Sequence, residues 1–368
     1  MNKAWQATEQ FVLAGEIEDI RAYGDGNIND TYLITLNLEE CFILQRINTY
    51  VFKQPKLITA NIRTFTEHVR GKLNQESDDP RRRWDVPSIL STHQGDDFFI
   101  DPEGNFWRAS SFVKNARSYG TVQNESHAWE VGYALGRFQS LLSDLDPKKL
   151  HDTLVGFHII PKYLRAYDEV MTQNPPAKSE SDVRFCHRMI AERRGWSSIL
   201  EDAKDQGLLQ IRIMHGDPKV DNIMICDEIG QAISIIDLDT VKPGLVQYDI
   251  GDCLRSSCNP LGETPNNIDD VRFETDLAQA ILEGYISVAN EFLTPNDYAF
   301  IYDSIRLLTF ELGLRFFADY LAGDVYYKVK YPEHNLERAI TQFRLTESIE
   351  AQEATIRKII ADLNHHYN

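Results

Sequence analysis

The sequence predicts an α+β fold, with a small β-rich N-terminal lobe over residues 1–113 and a larger, mainly helical C-terminal lobe over residues 114–368. Three observations carry this. Short alternating apolar runs bounded by turn residues crowd the chain before residue 113. From residue 126 onward, apolar residues recur at helical spacing. Between the helical stretches, residues 211–240 form one island of apolar strands, and each strand stops on polar residues.

Composition narrows the class. Hydrophobic residues make up 42% of the chain and charged residues 26%, the balance of a globular enzyme. No apolar run approaches a membrane span, and MNKAWQATEQF lacks the apolar core of a signal peptide. A net charge of −18 opposes nucleic-acid binding, which needs cations to neutralise phosphates. Arg81-Arg82-Arg83 reads as a solvated loop and Arg193-Arg194 as a helix face. Cys41, Cys186, Cys226, Cys253 and Cys258 are odd in number and contain no CxxC pair, so reduced thiols in a cytoplasmic protein are expected.

Taken in order, residues 3–14 read as an amphipathic helix, and Ile17–Tyr23 and Thr31–Leu36 as strands. Phe42–Ile47 is a third strand, on which Gln45 and Arg46 face opposite ways. Pro55–Lys72 has an apolar helical face of Leu57, Ile58, Ile62, Phe65 and Val69. Asp85–Thr92, Phe98–Asp101 and Phe106–Val113 are further strands. Helices follow at Ser126–Leu145, Pro161–Met171 and Asp182–Lys204, the last two joined by a polar loop containing Asn174-Pro175-Pro176. After the strand island, helical regions fall near 273–290, 295–322 and 336–364. His151 and His158 lack metal-ligand spacing and read as structural residues.

The strand island carries the chemistry. Ile211–Met214 runs into His215-Gly216-Asp217, Asn222 follows five residues after Asp217, and the strands Ile223–Ile225 and Ala232–Ile236 lead to Asp237-Leu238-Asp239. Phosphoryl transfer needs a carboxylate beside the attacking hydroxyl and oxygen ligands that hold Mg²⁺ against the phosphates. Asp217 suits the first task, Asn222 and Asp237 the second, and the Asp-to-Asn spacing matches the kinase catalytic loop. Gly24-Asp25-Gly26-Asn27, between the first two strands, reads as a phosphate-covering loop, because glycine lets a backbone approach closely.

The HGD…N…D pattern resembles the aminoglycoside/choline phosphotransferase superfamily, which has a protein-kinase-like fold. YGDGNINDTYLI (23–34), FILQRIN (42–48), IIDLDTVKPG (235–244), YDIGDCLR (248–255) and RFFADYLAGDVYYKVKYPEHNLER (315–338) together resemble the N-acetylhexosamine 1-kinases. That resemblance implies ATP as co-substrate, Mg²⁺, and transfer to the anomeric hydroxyl of GlcNAc or GalNAc. It implies nucleotide contacts from Gly24, Asp25, Gly26, Asn27, Asn29, Thr31, Gln45, Ser111 and Val113, with Ser110–Val113 as the hinge facing adenine. Gln45 takes the place of the kinase strand lysine, so the phosphate clamp is left open.

Within the helix matched to the kinase αC helix, Glu67 reads as surface and Asn61 as the residue that contacts the Gln45 strand. Asp217, Asp239, Arg315 and Asp319 are the expected acceptor-side residues, the last two on one helix face. His215 and Asp249 are expected to brace the catalytic loop, and Asp252 with Arg255 reads either as an ion pair or as a pair that reaches substrate. A kinase of another small hydroxyl compound, such as homoserine, choline or an aminoglycoside, keeps the same catalytic block. A nucleotide-binding pseudokinase is the non-enzyme alternative.

Overall fold

A computed structural model describes residues 2–24, 28–37, 40–75, 82–173 and 181–367. Helix α1 (Asn2–Thr8) packs Ala4 and Ala7 on the sheet built from β1 (Ile17–Ala22), β2 (Asp30–Leu36) and β3 (Cys41–Ile47). Helix α2 (Pro55–Leu73) intervenes before β4 (Phe99–Ile100) and β5 (Phe106–Ser111) complete an antiparallel sheet of order β1-β2-β3-β5-β4. Alternation places Ile34, Leu36, Phe42, Leu44, Trp107 and Ala109 on one buried face. Helix α2 turns Ile58, Ile62, Phe65 and Val69 inward, and the Phe65 ring lies 5.4 Å from that of Phe138. The strand β6 (Ala116–Arg117) leads away from this sheet.

The rest is mainly helical: α3 (Glu125–Leu142), α4 (Ile160–Gln173), α5 (Ser181–Arg193) and α6 (Ile199–Asp205) precede the strand island. That island holds β7 (Arg212–Met214), β8 (Ile223–Cys226), β9 (Ala232–Ile235) and β10 (Lys242–Gly244), with sheets β6-β8-β9 and β10-β7. Then come α7 (Val246–Ser257), α8 (Thr275–Ala289), α9 (Pro295–Ala299), α10 (Ile301–Ala322), α11 (His334–Ala351) and α12 (Glu353–Tyr367). Helix α10 is buried on nearly every side, from Ile301 to Asp319, and stops at Gly323, whose φ of 91° is one glycine adopts without strain. Among the described residues no helix is long and apolar enough to cross a membrane.

Several expected elements differ. The first helix ends at Thr8, because Phe11 is drawn into the core and bridges Thr92. Asp85–Thr92 is no continuous strand: Pro87 lacks an N–H, and the segment touches β5 through an isolated bridge, Ile89 to Ser110. The helix expected over 182–204 breaks at the tight turn Arg194–Trp196, which contains Gly195. The helix expected over 336–364 is two helices, split where Gln352 donates from its side chain to the Phe273 carbonyl. Its first half is a core helix, with Leu345 and Ile349 fully enclosed.

Arg82 is not a solvated loop residue. It pairs with Glu130 (2.7 Å) and lies 3.8 Å from the Tyr133 ring centroid. Arg193 is buried and held by Glu350 at 2.6 Å. Arg81 and the loop at 174–176 lie outside the described residues.

Helices α3 and α8 approach so closely that a Cβ on Gly132 would sit 1.8 Å from the Ile281 carbonyl oxygen. A Cβ on Gly284 would sit 2.0 Å from that of Trp129. Gly132→Ala is therefore expected to destabilise the chain by about 3 kcal/mol in chemical denaturation, the upper range of overpacking. The control is Gly71→Ala in α2, where a Cβ meets nothing within 4 Å and where helix propensity should add about 0.5–1 kcal/mol. Equal effects from the two substitutions would refute the close-packing account.

Candidate active site

Strand β7 delivers His215, Gly216 and Asp217 to the floor of the cleft beneath the N-terminal sheet. Gly216 has a φ of 88°, and a Cβ there would lie 2.9 Å from the Thr240 carbonyl oxygen, so only glycine fits this bend. Asn222 closes the loop by donating from Nδ2 to the Asp217 carbonyl (2.8 Å), and its own carbonyl accepts from Ile236 N–H (2.9 Å). That bond draws the end of β9 alongside the loop. Asp237 follows in the left-handed region, at a φ of 61°, one that Asp and Asn tolerate best among residues with a side chain.

A buried carboxylate underlies this loop. Asp249 of α7 accepts from the backbone N–H of His215 (2.8 Å) and of Gly216 (2.8 Å), and from Gln139 Nε2 (3.0 Å). Gln139 is fixed in turn by the Tyr285 hydroxyl at 2.7 Å. Burial lowers the pKa of His215, and its bonds agree with a neutral ring: Nε2–H donates to the Ile236 carbonyl while Nδ1 accepts from Asp217 N–H. His158 is the opposite case. Its Nε2 faces the Gly216 carbonyl (2.8 Å) and its Nδ1 faces Glu311 Oε1 (3.1 Å). Both neighbours accept, so both nitrogens donate. Burial opposes that charge, but Glu311 outweighs it and raises the His158 pKa. His158 is thus structural, yet it bears directly on the catalytic loop.

Enclosure in the cleft opposes ionisation of Asp217, but Lys219, Arg255 and His158 outweigh it and hold the carboxyl below its ordinary range. Lys219 Nζ lies 3.5 Å from Asp217 Oδ2 and 3.6 Å from Asp221 Oδ2. Asp237 is open to cleft water but walled by protein. That enclosure, with Asp239 and Asp217 nearby, pushes its carboxyl up to about 7. A site that crowds carboxylates in this way fits a divalent cation.

Among the described residues no three His, Cys, Asp or Glu side chains gather as a metal cluster. Mg²⁺ takes one or two carboxylates and completes its shell with water and phosphate oxygens. The residues that would hold it are Asp237 and Asn222, whose amide nitrogen is already committed to Asp217.

On the nucleotide side, Gly24 has a φ of 73°, while Asp25, Gly26 and Asn27 lie outside the described residues. Asn29 does not stand free. Its Nδ2 donates to Asp239 Oδ2 (2.7 Å) and its Oδ1 accepts from Asn48 N–H (2.9 Å). Thr31 and Gln45 are paired across β2 and β3, and their side chains meet at 3.4 Å. The Ser111 N–H already donates to the Ser88 carbonyl (2.9 Å), and its hydroxyl accepts from Ser88 N–H, so these groups do not await adenine. Val113 packs with Met224 and Ile233. Asn61 does not reach the Gln45 strand. It pins α2 to the helical region, donating to the His151 and Val241 carbonyls and accepting from His151 N–H (2.8 Å). Glu67 is a surface residue, 3.5 Å from Arg63.

On the other side, Arg315 of α10 is ringed by Phe157, Tyr163 and Tyr327, 5.1–5.7 Å from their centroids, and reaches Glu311 at 3.4 Å. Asp319 does not pair with it. Its oxygens accept from the N–H groups of Val325, Tyr326 and Tyr327 and from Asn335 Nδ2. A carboxylate so filled shapes the loop after α10 and has no capacity left for a ligand. Asp252 and Arg255 form a buried pair at 2.8 Å. Sequence reasoning passed over Lys219, Gln139, Glu311 and Arg108. Lys219 was within reach, two residues after Asp217 in HGDPK; the others depend on tertiary neighbours.

The antiparallel N-terminal sheet, the helical region and the loops between them define an α+β, protein-kinase-like chain. Residues 19–281 match the phosphotransferase enzyme family (APH), and the chain belongs to that family. An aminoglycoside phosphotransferase from Alicyclobacillus acidocaldarius superposes with a TM-score of 0.63 at 15% identity, covering 97% of this chain and 96% of that one. A microcompartment-associated aminopropanol kinase gives 0.65 at 15% identity, covering 97% and 98%. An amicoumacin kinase in complex with AMP-PNP and Ca²⁺ gives 0.53 at 13% identity, covering 98% and 93%. At these identities the likeness is one of fold.

Proposed function

We propose that this phosphotransferase moves the γ-phosphoryl group of ATP to the anomeric hydroxyl of an N-acetylhexosamine, GlcNAc or GalNAc. The hydroxyl oxygen forms the new bond to the γ-phosphorus, and the bridging bond to the β-phosphate breaks, releasing ADP. Asp217 orients the hydroxyl and takes its proton. Its low pKa suits a loose transition state, in which the proton leaves late. Asp237 and Asn222 hold Mg²⁺, which neutralises charge on the β- and γ-oxygens when bound. His215 and Asp249 keep the loop in place, and Asp239 orients the residues around Asp237. The lobes divide near Val113, where β5 has ended and the chain crosses to β6.

The observation that carries the acceptor class is Arg315 in its aromatic ring of Phe157, Tyr163 and Tyr327. Such a wall combines aromatic rings, which can pack on a sugar's C–H surface, with guanidinium and phenol donors for its oxygens. Glu311 is shared between Arg315 and the His158 ring.

The test is ADP release from ATP and Mg²⁺ across free sugars, with choline and homoserine as controls. Turnover with N-acetylhexosamines, lost with the methyl glycosides, is expected. Turnover only with choline or homoserine would discard the sugar reading and keep the catalytic loop. ATP binding without turnover on any acceptor would favour the pseudokinase.

A further inference from the structure

The strand lysine of kinases is absent here, and Arg108 of β5 lies beside Gln45, the residue at that strand position. Arg108 is the direct antiparallel partner of Gln45 on β3, so both side chains leave the same face of the sheet. Its Nη2 donates to Gln45 Oε1 at 2.6 Å. Its Nη1 lies 2.6 Å from Asp239 Oδ1, yet neither atom gains an aligned hydrogen bond among the described residues. Arg108 is 4% exposed and Asp239 1%. Asp239 is held on its other oxygen by Asn29, at the foot of the loop that begins at Gly24. Other cations of this sheet region are engaged elsewhere: Arg46 with Asp30, and Lys114 with Glu40.

A buried guanidinium keeps its charge and matches phosphate oxygens with a planar fork of donors. Here the fork is steadied on one side by a neutral amide, which takes nothing from its charge. On the other side it meets an anion without good alignment.

We propose that Arg108 is the phosphate-binding cation of this enzyme, presented from β5 in place of a β3 lysine, with Gln45 aiming it and Asp239 occupying it until a nucleoside di- or triphosphate arrives. This rests on the reading of the chain as a nucleotide-dependent phosphotransferase. Phosphate oxygens take over Nη1 from Asp239, and Asp239 is released toward Asn29 and the Asp237 loop. The same residue then couples nucleotide entry to the geometry of the metal-holding loop.

The experiment is calorimetric binding of ADP and of adenosine to the full chain in EDTA, so that no metal contributes. Arg108→Gln should weaken ADP binding by about 10-fold or more, the loss expected for charge-assisted hydrogen bonds, while adenosine affinity changes less than about twofold. Asp239→Asn removes the competing anion and should leave ADP binding as tight as wild type, or tighter. ADP affinity unchanged in Arg108→Gln, or ADP and adenosine weakened alike, overturns the assignment. So does Asp239→Asn weakening ADP as much as Arg108→Gln, which would make Arg108 a mere support for Asp239. Failure of the wild-type chain to bind ADP would instead remove the nucleotide-dependent reading, and this assignment with it.

Discussion

Asp217→Asn should lower kcat by about 10²–10⁴-fold with the preferred acceptor, the range for losing a positioned base. The substitution keeps the size and shape of the side chain. Its neighbours are a lysine and the amide of Asn222, and both can still meet the remaining oxygen. The KM for ATP should therefore move little, because the proposed role of Asp217 is on the acceptor and not on the adenine.

A second consequence concerns pH. Lys219, Arg255 and His158 hold the Asp217 carboxyl low against the cost of its enclosure, so its ionisation is complete well below neutrality. The acid limb of kcat/KM assigned to Asp217 should fall below the ordinary carboxylate value of about 4. Linkage has the same sign: the stability this carboxylate contributes is present above its unfolded pKa and is lost as pH falls through the lower folded one. Wild-type turnover in Asp217→Asn would dismiss the assignment. A steady-state assay with a stopped-time ADP measurement is enough to decide.

The candidate catalytic loop was legible in the sequence because its parts are local. Four residues separate Asp217 from Asn222, and a short hairpin separates Asn222 from Asp237, so strand periodicity and turn residues place all three at one end of the island. The order of strands and helices was legible for the same reason.

What escaped depends on distant partners. Asn61 sits on the inward face of α2, and nothing local says that this face meets His151 and Val241 in place of β3. Arg315 and Asp319 have the spacing of a helix salt bridge. Yet Arg315 turns to Glu311, one turn earlier, and Asp319 is consumed by the backbone of residues 325–327. Arg108 reads as an ordinary strand arginine until the β3–β5 register puts it beside Gln45. The alternation over 85–92 was sound, but Pro87 and the lack of a continuous partner left that segment as isolated bridges.

Asp237→Asn should separate stability from activity. The Asp237 carboxyl is pushed up to about 7 by its enclosure and by Asp239 and Asp217, with Lys219 and Arg108 only partly relieving it. Without metal, the folded chain therefore keeps this proton over a range where the unfolded chain has released it. Between about pH 4 and 7 the native state binds more protons, so raising pH through that window removes stability. Access to cleft water tempers the size of this effect but not its sign.

Asparagine removes the charge and tolerates the left-handed backbone at φ 61°, so it brings no new strain. Metal-free Asp237→Asn should then melt at a higher temperature than metal-free wild type at pH 8, and the gap should close toward pH 4. Mg²⁺ should raise the melting temperature of wild type and leave the variant nearly unmoved. Activity should go the other way, by about 10²–10³-fold, since a bound metal contributes several kcal/mol of transition-state charge stabilisation. Differential scanning fluorimetry across pH, with and without Mg²⁺, reads the first two. A variant less stable than wild type at pH 8 would mean that Asp237 is held by its surroundings and not strained by them. The crowding of carboxylates on this loop would then have to be explained by the fold alone.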